Sequence, residues 1–213
     1  MVWLAGRIIN HGPETDRMPY GARFPTVLQM REFFRKLVHI IFGLGIAALI
    51  WFTPLSVALP LLMTGTFAGI IFRDALVRGY RIPLISDLID NLERENVRPG
   101  KGALYFALSS LFCLVLFPKE IVVPAIITLS VLDGAATLVG YYYGRHPVFL
   151  GKTAEGSLAG VTAAVFFLLP FVPPFQAVVV SVIAGLTELF SPVDDNLTIP
   201  VFVCIALSLL AMP

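Results

Sequence analysis

The sequence predicts an all-α polytopic membrane protein, a helical bundle of about seven transmembrane helices with its N-terminus in the cytoplasm. Three observations carry that prediction. Hydrophobic residues make up 57% of the 213-residue chain and charged residues only 14%, against about 25% charged in a soluble domain. The apolar residues fall in long continuous runs that lack the alternation of a β-barrel, and mean hydropathy is +0.86. Fourteen of the fifteen Lys and Arg residues fall on one predicted side of the membrane.

Taken in chain order, residues 1–30 read as a polar N-terminal arm with Pro13, Pro19 and Pro25 and no apolar stretch of signal-peptide type. Residues 31–213 are expected to form a single membrane-embedded domain. Its apolar segments cover about 37–52, 55–72, 103–117, 121–143, 157–171, 174–190 and 198–212. Several are shorter than the roughly 20 residues of an untilted span, so flanking polar residues such as Arg35 are expected to extend the helices. In the loop 73–101, Leu84, Ile85, Leu88, Ile89 and Leu92 recur at helical spacing opposite Asp87, Asp90, Glu93 and Arg94. With Pro83 at its start, this predicts a short amphipathic helix on the cytoplasmic membrane surface. A tight hairpin at Pro173 joins the fifth and sixth segments.

Seven spans put six basic residues before residue 37, six in 73–101 and two, Arg145 and Lys152, in 141–156 on one side. Only Lys119 lies on the other. The positive-inside rule then places the basic loops in the cytoplasm and the C-terminus outside. Cys113 and Cys204 sit in apolar runs without zinc-site spacing and read as packing residues. The net charge of +1 names no partner. No nucleic-acid partner is expected, and a homo-oligomer stays open.

Four polar clusters interrupt this apolar chain. Asp133 sits within a membrane segment, where an acid costs about 2.5–3.5 kcal/mol, among Gly134, Ala135, Ala136, Gly140 and Gly144. It therefore needs a partner or a ligand, and it is a candidate metal ligand or proton acceptor. Arg35, Lys36 and His39 share one helix face at the edge of the first span. "GKTAEGS", from Gly151 to Ser157, offers Lys152 for phosphate, the hydroxyls of Thr153 and Ser157, and Ser157 as a cap for the next helix. It is not a P-loop: His146 occupies the first glycine position and no strand precedes it. Finally, Glu188, Asp194, Asp195 and Asn196 supply hard oxygen donors suited to Mg²⁺ beside a phosphate. All four clusters fall on one predicted face. That combination suggests phosphoryl or nucleotidyl transfer to a lipid, in which the protein mainly positions reactants and neutralises charge.

The motifs "RKLVH" (35–39), "GKGALYFAL" (100–108), "DGAATLVGYYYG" (133–144), "GKTAEGSLAG" (151–160) and "ELFSPVDDNLTIP" (188–200) together resemble the CTP-dependent polyprenol and lipid kinases. That family includes dolichol kinase, phytol kinase and a CTP-dependent diacylglycerol kinase. The resemblance implies transfer of the γ-phosphate of CTP to the hydroxyl of an isoprenoid alcohol of dolichol, phytol or geranylgeraniol type, with Mg²⁺ or another divalent cation. It implies that the loop around Lys152–Ser157 helps bind the nucleotide, and the candidate nucleotide-binding residues are Arg35, Lys36, Lys101, Gly134, Gly140, Gly144, Arg145, Lys152, Thr153, Glu155, Gly156 and Ser157. Asp133, Lys152, Glu188 and His39 are the candidate catalytic residues, and Asp133, Glu188, Asp194, Asp195 and Asn196 the candidate metal ligands. The enzyme is expected in a prokaryotic cell membrane or an organellar or ER membrane, with its site on the cytoplasmic side.

This chain departs from the pattern in having one lysine before Thr153 where many relatives show two; one phosphate contact is then either missing or supplied by Arg145 or Lys101. Phosphatidate cytidylyltransferases share part of the pattern, and a cytidylyltransferase making a CDP-activated lipid is the alternative. Their C-terminal His-Gly-Gly…Asp-Arg-x-Asp signature has no counterpart here, since residues 185–213 contain neither histidine nor arginine. A small cation-coupled transporter using Asp133 and Glu188 is the rival from another class, and a structural scaffold would bind neither nucleotide nor metal. Transporter sites lie near the bilayer midplane, unlike four clusters at one face.

Overall fold

The computed structural model describes residues 27–83, 86, 100–149 and 151–210. Among these residues the chain forms seven helices and no strand, only one isolated bridge between Pro147 and Thr153. They are α1 (Val27–Phe52), α2 (Leu55–Val77), α3 (Lys101–Leu116), α4 (Lys119–Tyr143), α5 (Ala154–Leu168), α6 (Pro174–Phe190) and α7 (Asp195–Leu210). Each expected apolar segment corresponds to one helix. The boundaries move outward where polar turns continue the helix: α1 begins at Val27 and α2 runs on to Val77. The expected division between arm and bundle at residue 30 therefore falls inside α1. Most of the expected amphipathic helix, and the arm up to residue 26, lie outside the described residues.

Three helices are long and apolar enough to cross a membrane, over Met30–Phe52, Leu55–Val77 and Lys119–Tyr143. The other four have 15 to 17 residues. At 1.5 Å per residue they reach about 25 Å, against a hydrocarbon core of about 30 Å. The outer surface carries large apolar side chains, among them Ile41, Phe52, Phe67, Phe166 and Phe175. An apolar exterior of this extent is the surface of a membrane protein.

Helix α4 is the axis of the bundle. Every residue from Val122 to Gly134 is buried, and α1, α5 and α7 pack around it, with α3 and α6 making smaller contacts. Helix α2 is peripheral, resting mainly on α3. Buried hydroxyls on α4 return their protons to its own backbone, Thr128 to the Pro124 carbonyl and Ser130 to the Ile126 carbonyl, both at 2.8 Å. This leaves α4 without an unmet donor at those turns. Helix α2 closes in a Schellman arrangement, with Gly79 at φ +84° and the Tyr80 N–H reaching the Ala75 carbonyl.

The tightest seam joins α4 to α5. A Cβ built on Gly156 would lie 2.5 Å from the Ala136 carbonyl oxygen, and one on Gly160 would lie 2.8 Å from the Leu132 carbonyl oxygen. Both obstacles are backbone, so neither can yield by a rotamer change, and the small-xxx-small pair on α5 is what allows the approach. Gly160→Val is expected to destabilise the bundle by about 1–3 kcal/mol through overpacking. A lowered thermal midpoint in detergent, with loss of monodispersity, would register this.

Candidate active site

The four polar clusters meet at one end of the bundle, and they do so as ion pairs between helices. Lys36 on α1 and Asp133 on α4 are both buried, with Lys36 Nζ 2.6 Å from Asp133 Oδ2. Hydropathy alone marks Asp133 as costly; the partner that offsets the cost lies 97 residues away. His39 stands one turn beyond Lys36, its Nε2 3.3 Å from the same oxygen but off line for a hydrogen bond. Its ring lies edge-on to Phe106 at 5.2 Å. Thr137 Oγ1 is 3.4 Å from Asp133 Oδ1.

Arg35 does not join its neighbours on Asp133. Its guanidinium pairs with Glu32 at 2.5 Å within α1. Glu32, which is buried, was not among the expected site residues. Its signal was present, since it lies four residues before Lys36 and so shares that residue's helix face, but it falls outside the apolar run.

The loop after α4 carries Lys152 on a small hairpin. The Val148 N–H bonds the Lys152 carbonyl, the Lys152 N–H bonds the Phe149 carbonyl, and the Ala154 N–H bonds the His146 carbonyl, each at 2.9 Å. Gly151 takes φ +77° at the turn, a conformation that glycine adopts without the usual side-chain penalty. Glu155 ties the hairpin down by accepting the backbone N–H groups of Arg145 and His146 at 3.1 and 3.2 Å and meeting His146 Nδ1 at 2.5 Å.

This hairpin sets the Lys152 ammonium between two helix ends. Nζ lies 2.8 Å from Glu188 Oε1 and 2.9 Å from Asp195 Oδ2, and it also donates to the Glu188 backbone carbonyl. A cation here complements the negative C-terminal end of α6. Burial acts to lower the Lys152 pKa, but the hydrogen bonds and charges of Glu188 and Asp195 outweigh it and hold it above the ordinary 10.5. A raised folded-state value means that the contribution to stability is complete below the unfolded value and is lost as pH rises through the folded one. The stability gap between the parent and Lys152→Met is therefore expected to stay constant from neutral pH to about pH 10 and to close above it. Thermal midpoints along a pH series test this.

The remaining residues frame the same end. Thr153 caps α5, its hydroxyl accepting the Gly156 N–H at 3.2 Å. The expected cap was Ser157, but α5 begins three residues earlier, which frees the Ser157 hydroxyl to face Glu188 Oε2 at 3.5 Å. Lys101, at the start of α3, lies 3.2 Å from Asp194 Oδ2 and over the Tyr105 ring. Asp194 caps α7 by accepting the Asn196 N–H at 3.2 Å, and the Asn196 side-chain amide donates to it at 2.9 Å. The glycines of the expected nucleotide set lie in packing positions. Gly134 is covered by Ile40, Gly140 backs onto Gly156, and Gly144 abuts Thr153.

Among the described residues no three His, Cys, Asp or Glu side chains converge on one point as a metal centre. Asp133 sits on Lys36, Glu188 and Asp195 share Lys152, and Asp194 sits on Lys101. Asn196 Oδ1, however, is buried without a hydrogen-bond partner among the described residues.

Fold and site together define a helical membrane protein with cations and carboxylates interleaved at one buried end. Comparison with known proteins narrows this. Over 192 residues the chain is 34% identical to phytol kinase of Synechocystis sp., covering 81% of this chain and 77% of that one. It is 33% identical over 178 residues to an uncharacterized protein of Methanocaldococcus jannaschii, covering 82% and 91% respectively. An uncharacterized protein of Rickettsia prowazekii is 27% identical over 143 residues. The chain belongs to the family of phytol kinase-like proteins. No family model matches it, and no solved structure does.

Proposed function

We propose that the protein is a CTP-dependent kinase that phosphorylates the hydroxyl of an isoprenoid alcohol at the cytoplasmic membrane face. The single observation that carries this reading is Lys152 held between Glu188 and Asp195 at the end of the bundle, in a chain 34% identical to phytol kinase. The CTP donor and the cytoplasmic placement rest on the motif resemblance and on the distribution of Lys and Arg.

The ion pairs stand in for the ligand. A nucleotide triphosphate with its divalent cation brings both charges at once, so the pairs of Lys152 with Asp195 and of Lys101 with Asp194 would separate, the lysines turning to phosphate and the aspartates to the metal. Mg²⁺ needs only one or two carboxylates when phosphates and water complete its shell, so a preassembled cage is unnecessary. Asp194, Asp195 and the unpartnered Asn196 Oδ1 are suited to hold it. When bound, it would neutralise charge developing on the phosphates.

Asp133 and Glu188, each a candidate both for catalysis and for the metal, take different roles. The Lys152 side chain is 24% exposed and that of Lys36 only 6%, while both carboxylates are buried, Glu188 at 7% and Asp133 at 11%. A water-borne nucleotide reaches Lys152 and draws its ammonium onto the phosphates, and Glu188 is then free to accept the alcohol proton. The alcohol oxygen bonds to the γ-phosphorus as the bond to the β-bridging oxygen breaks, and CDP leaves. Lys36 and Asp133 remain joined and position α1 against α4, with His39 beside them.

Purified protein in lipid with Mg²⁺, phytol and CTP labelled at the γ-phosphate should give labelled lipid phosphate. Label passing from the α-phosphate to lipid, with pyrophosphate released, would identify a cytidylyltransferase instead. Solute counterflow in vesicles without nucleotide turnover would identify a transporter.

A further inference from the structure

We propose that the groove between α5 and α6 seats the hydroxyl-proximal end of the lipid alcohol, with Leu158 and Leu186 as its walls. This rests on the kinase reading above and adds to it where the lipid enters. The groove has a volume of about 240 Å³. Leu158 and Val161 line it from α5, Gly185, Leu186 and Leu189 from α6, and Ser157 stands at the end nearest the ion pairs. It opens outward: Leu158 is 69% exposed and Leu186 51%.

The groove matches an amphiphile. Along its length it offers only aliphatic side chains and the Gly185 backbone. At one end Ser157 Oγ lies 3.5 Å from Glu188 Oε2, and Glu188 Oε1 lies 2.8 Å from Lys152 Nζ. A molecule lying here with its tail on the leucines has its polar head beside Ser157, the residue that faces the proposed proton acceptor. A second apolar groove, lined by Leu44, Ala48, Trp51 and Phe171 among others, has no charged or hydroxyl-bearing side chain. A headgroup there would lose its hydration without replacement.

The size of the groove limits what it can select. On α5 the lining runs from Ser157 to Val161, about 6 Å of helix, and on α6 from Val182 to Leu189, about 10 Å. Only the part of the tail next to the hydroxyl fits, and the rest stays among bilayer lipids. The groove therefore reads the width of the first part of the tail, not total tail length. Its floor is fixed because a side chain at Gly185 would collide with Val161.

The test uses the full chain in lipid nanodiscs and a photoreactive isoprenoid alcohol with a diazirine near its hydroxyl. Cross-links are expected at Leu158 and Leu186 and should be suppressed by phytol. In turnover assays, Leu158→Trp and Leu186→Trp should raise KM for the alcohol by about tenfold or more and leave KM for CTP unchanged. Ala48→Trp in the second groove should change neither, and geraniol, phytol and a long polyprenol should show similar kcat/KM. Cross-links at Trp51, labelling suppressed by phospholipid but not by phytol, or unchanged alcohol KM in both tryptophan variants would overturn the proposal. If the parent phosphorylates no alcohol yet is labelled in the groove with suppression by phytol, the seat stands and the kinase reading falls.

Discussion

Lys152→Ala should lower lipid phosphorylation by about 10²–10³-fold in kcat, the usual scale for removing one preorganised charge from a transferring group. The effect follows from position. The ammonium is held 2.8 Å from Glu188 and 2.9 Å from Asp195 by a hairpin whose backbone is pinned to Glu155. Its charge is thus fixed where phosphate is expected before any substrate arrives. The same substitution leaves Glu188 and Asp195 without their cation, so stability must be measured beside activity. Lys152→Arg keeps the charge but spreads it over a planar fork, and should restore stability more fully than turnover. If Lys152→Ala kept parental kcat in a folded protein, the assignment of this end as the phosphate site would fail.

The second large effect concerns the buried pair. Lys36→Met or Asp133→Leu alone should destabilise the protein by about 3–5 kcal/mol, because each leaves a charge in an apolar interior. Lys36→Met combined with Asp133→Leu should recover most of that loss, since two apolar side chains of similar size need no partner. A double-mutant cycle on thermal midpoints in detergent measures the coupling. Activity then separates positioning from chemistry. If the pair only sets α1 against α4, the double variant regains turnover along with stability. If it recovers stability and stays inactive, Asp133 contacts the reactants, and its role must be reassigned from positioning to catalysis.

Much of the fold was legible because lipid-facing helices advertise themselves by hydropathy, and all seven apolar segments correspond to helices. Their ends were less legible. Glu32 and Lys36 are polar yet turn inward, so α1 continues through them although the apolar run does not. The helix cap went to Thr153 and not to Ser157 because hydropathy cannot see where the backbone turn after Gly151 ends. Among the site residues, the costly ones were visible singly: Asp133 and Glu188 stand out as acids in apolar sequence, and Lys152 as a cation between glycines.

The sequence by itself determined that this chain is a bundle of apolar helices whose ionisable groups must gather away from lipid, because an unpaired charge in hydrocarbon is too costly to leave there. It could not determine who pairs with whom. Lys36 with Asp133, Lys152 with Glu188 and Asp195, and Arg35 turned back to Glu32 depend on how each helix is rotated and how closely α5 approaches α4. The approach of α5 to α4 is set by packing at Gly156 and Gly160, and that of α1 to α4 by packing at Gly43 and Gly134. Only the tertiary structure decided them, and with them which carboxylate pairs with the buried Lys36 and which with the part-exposed Lys152.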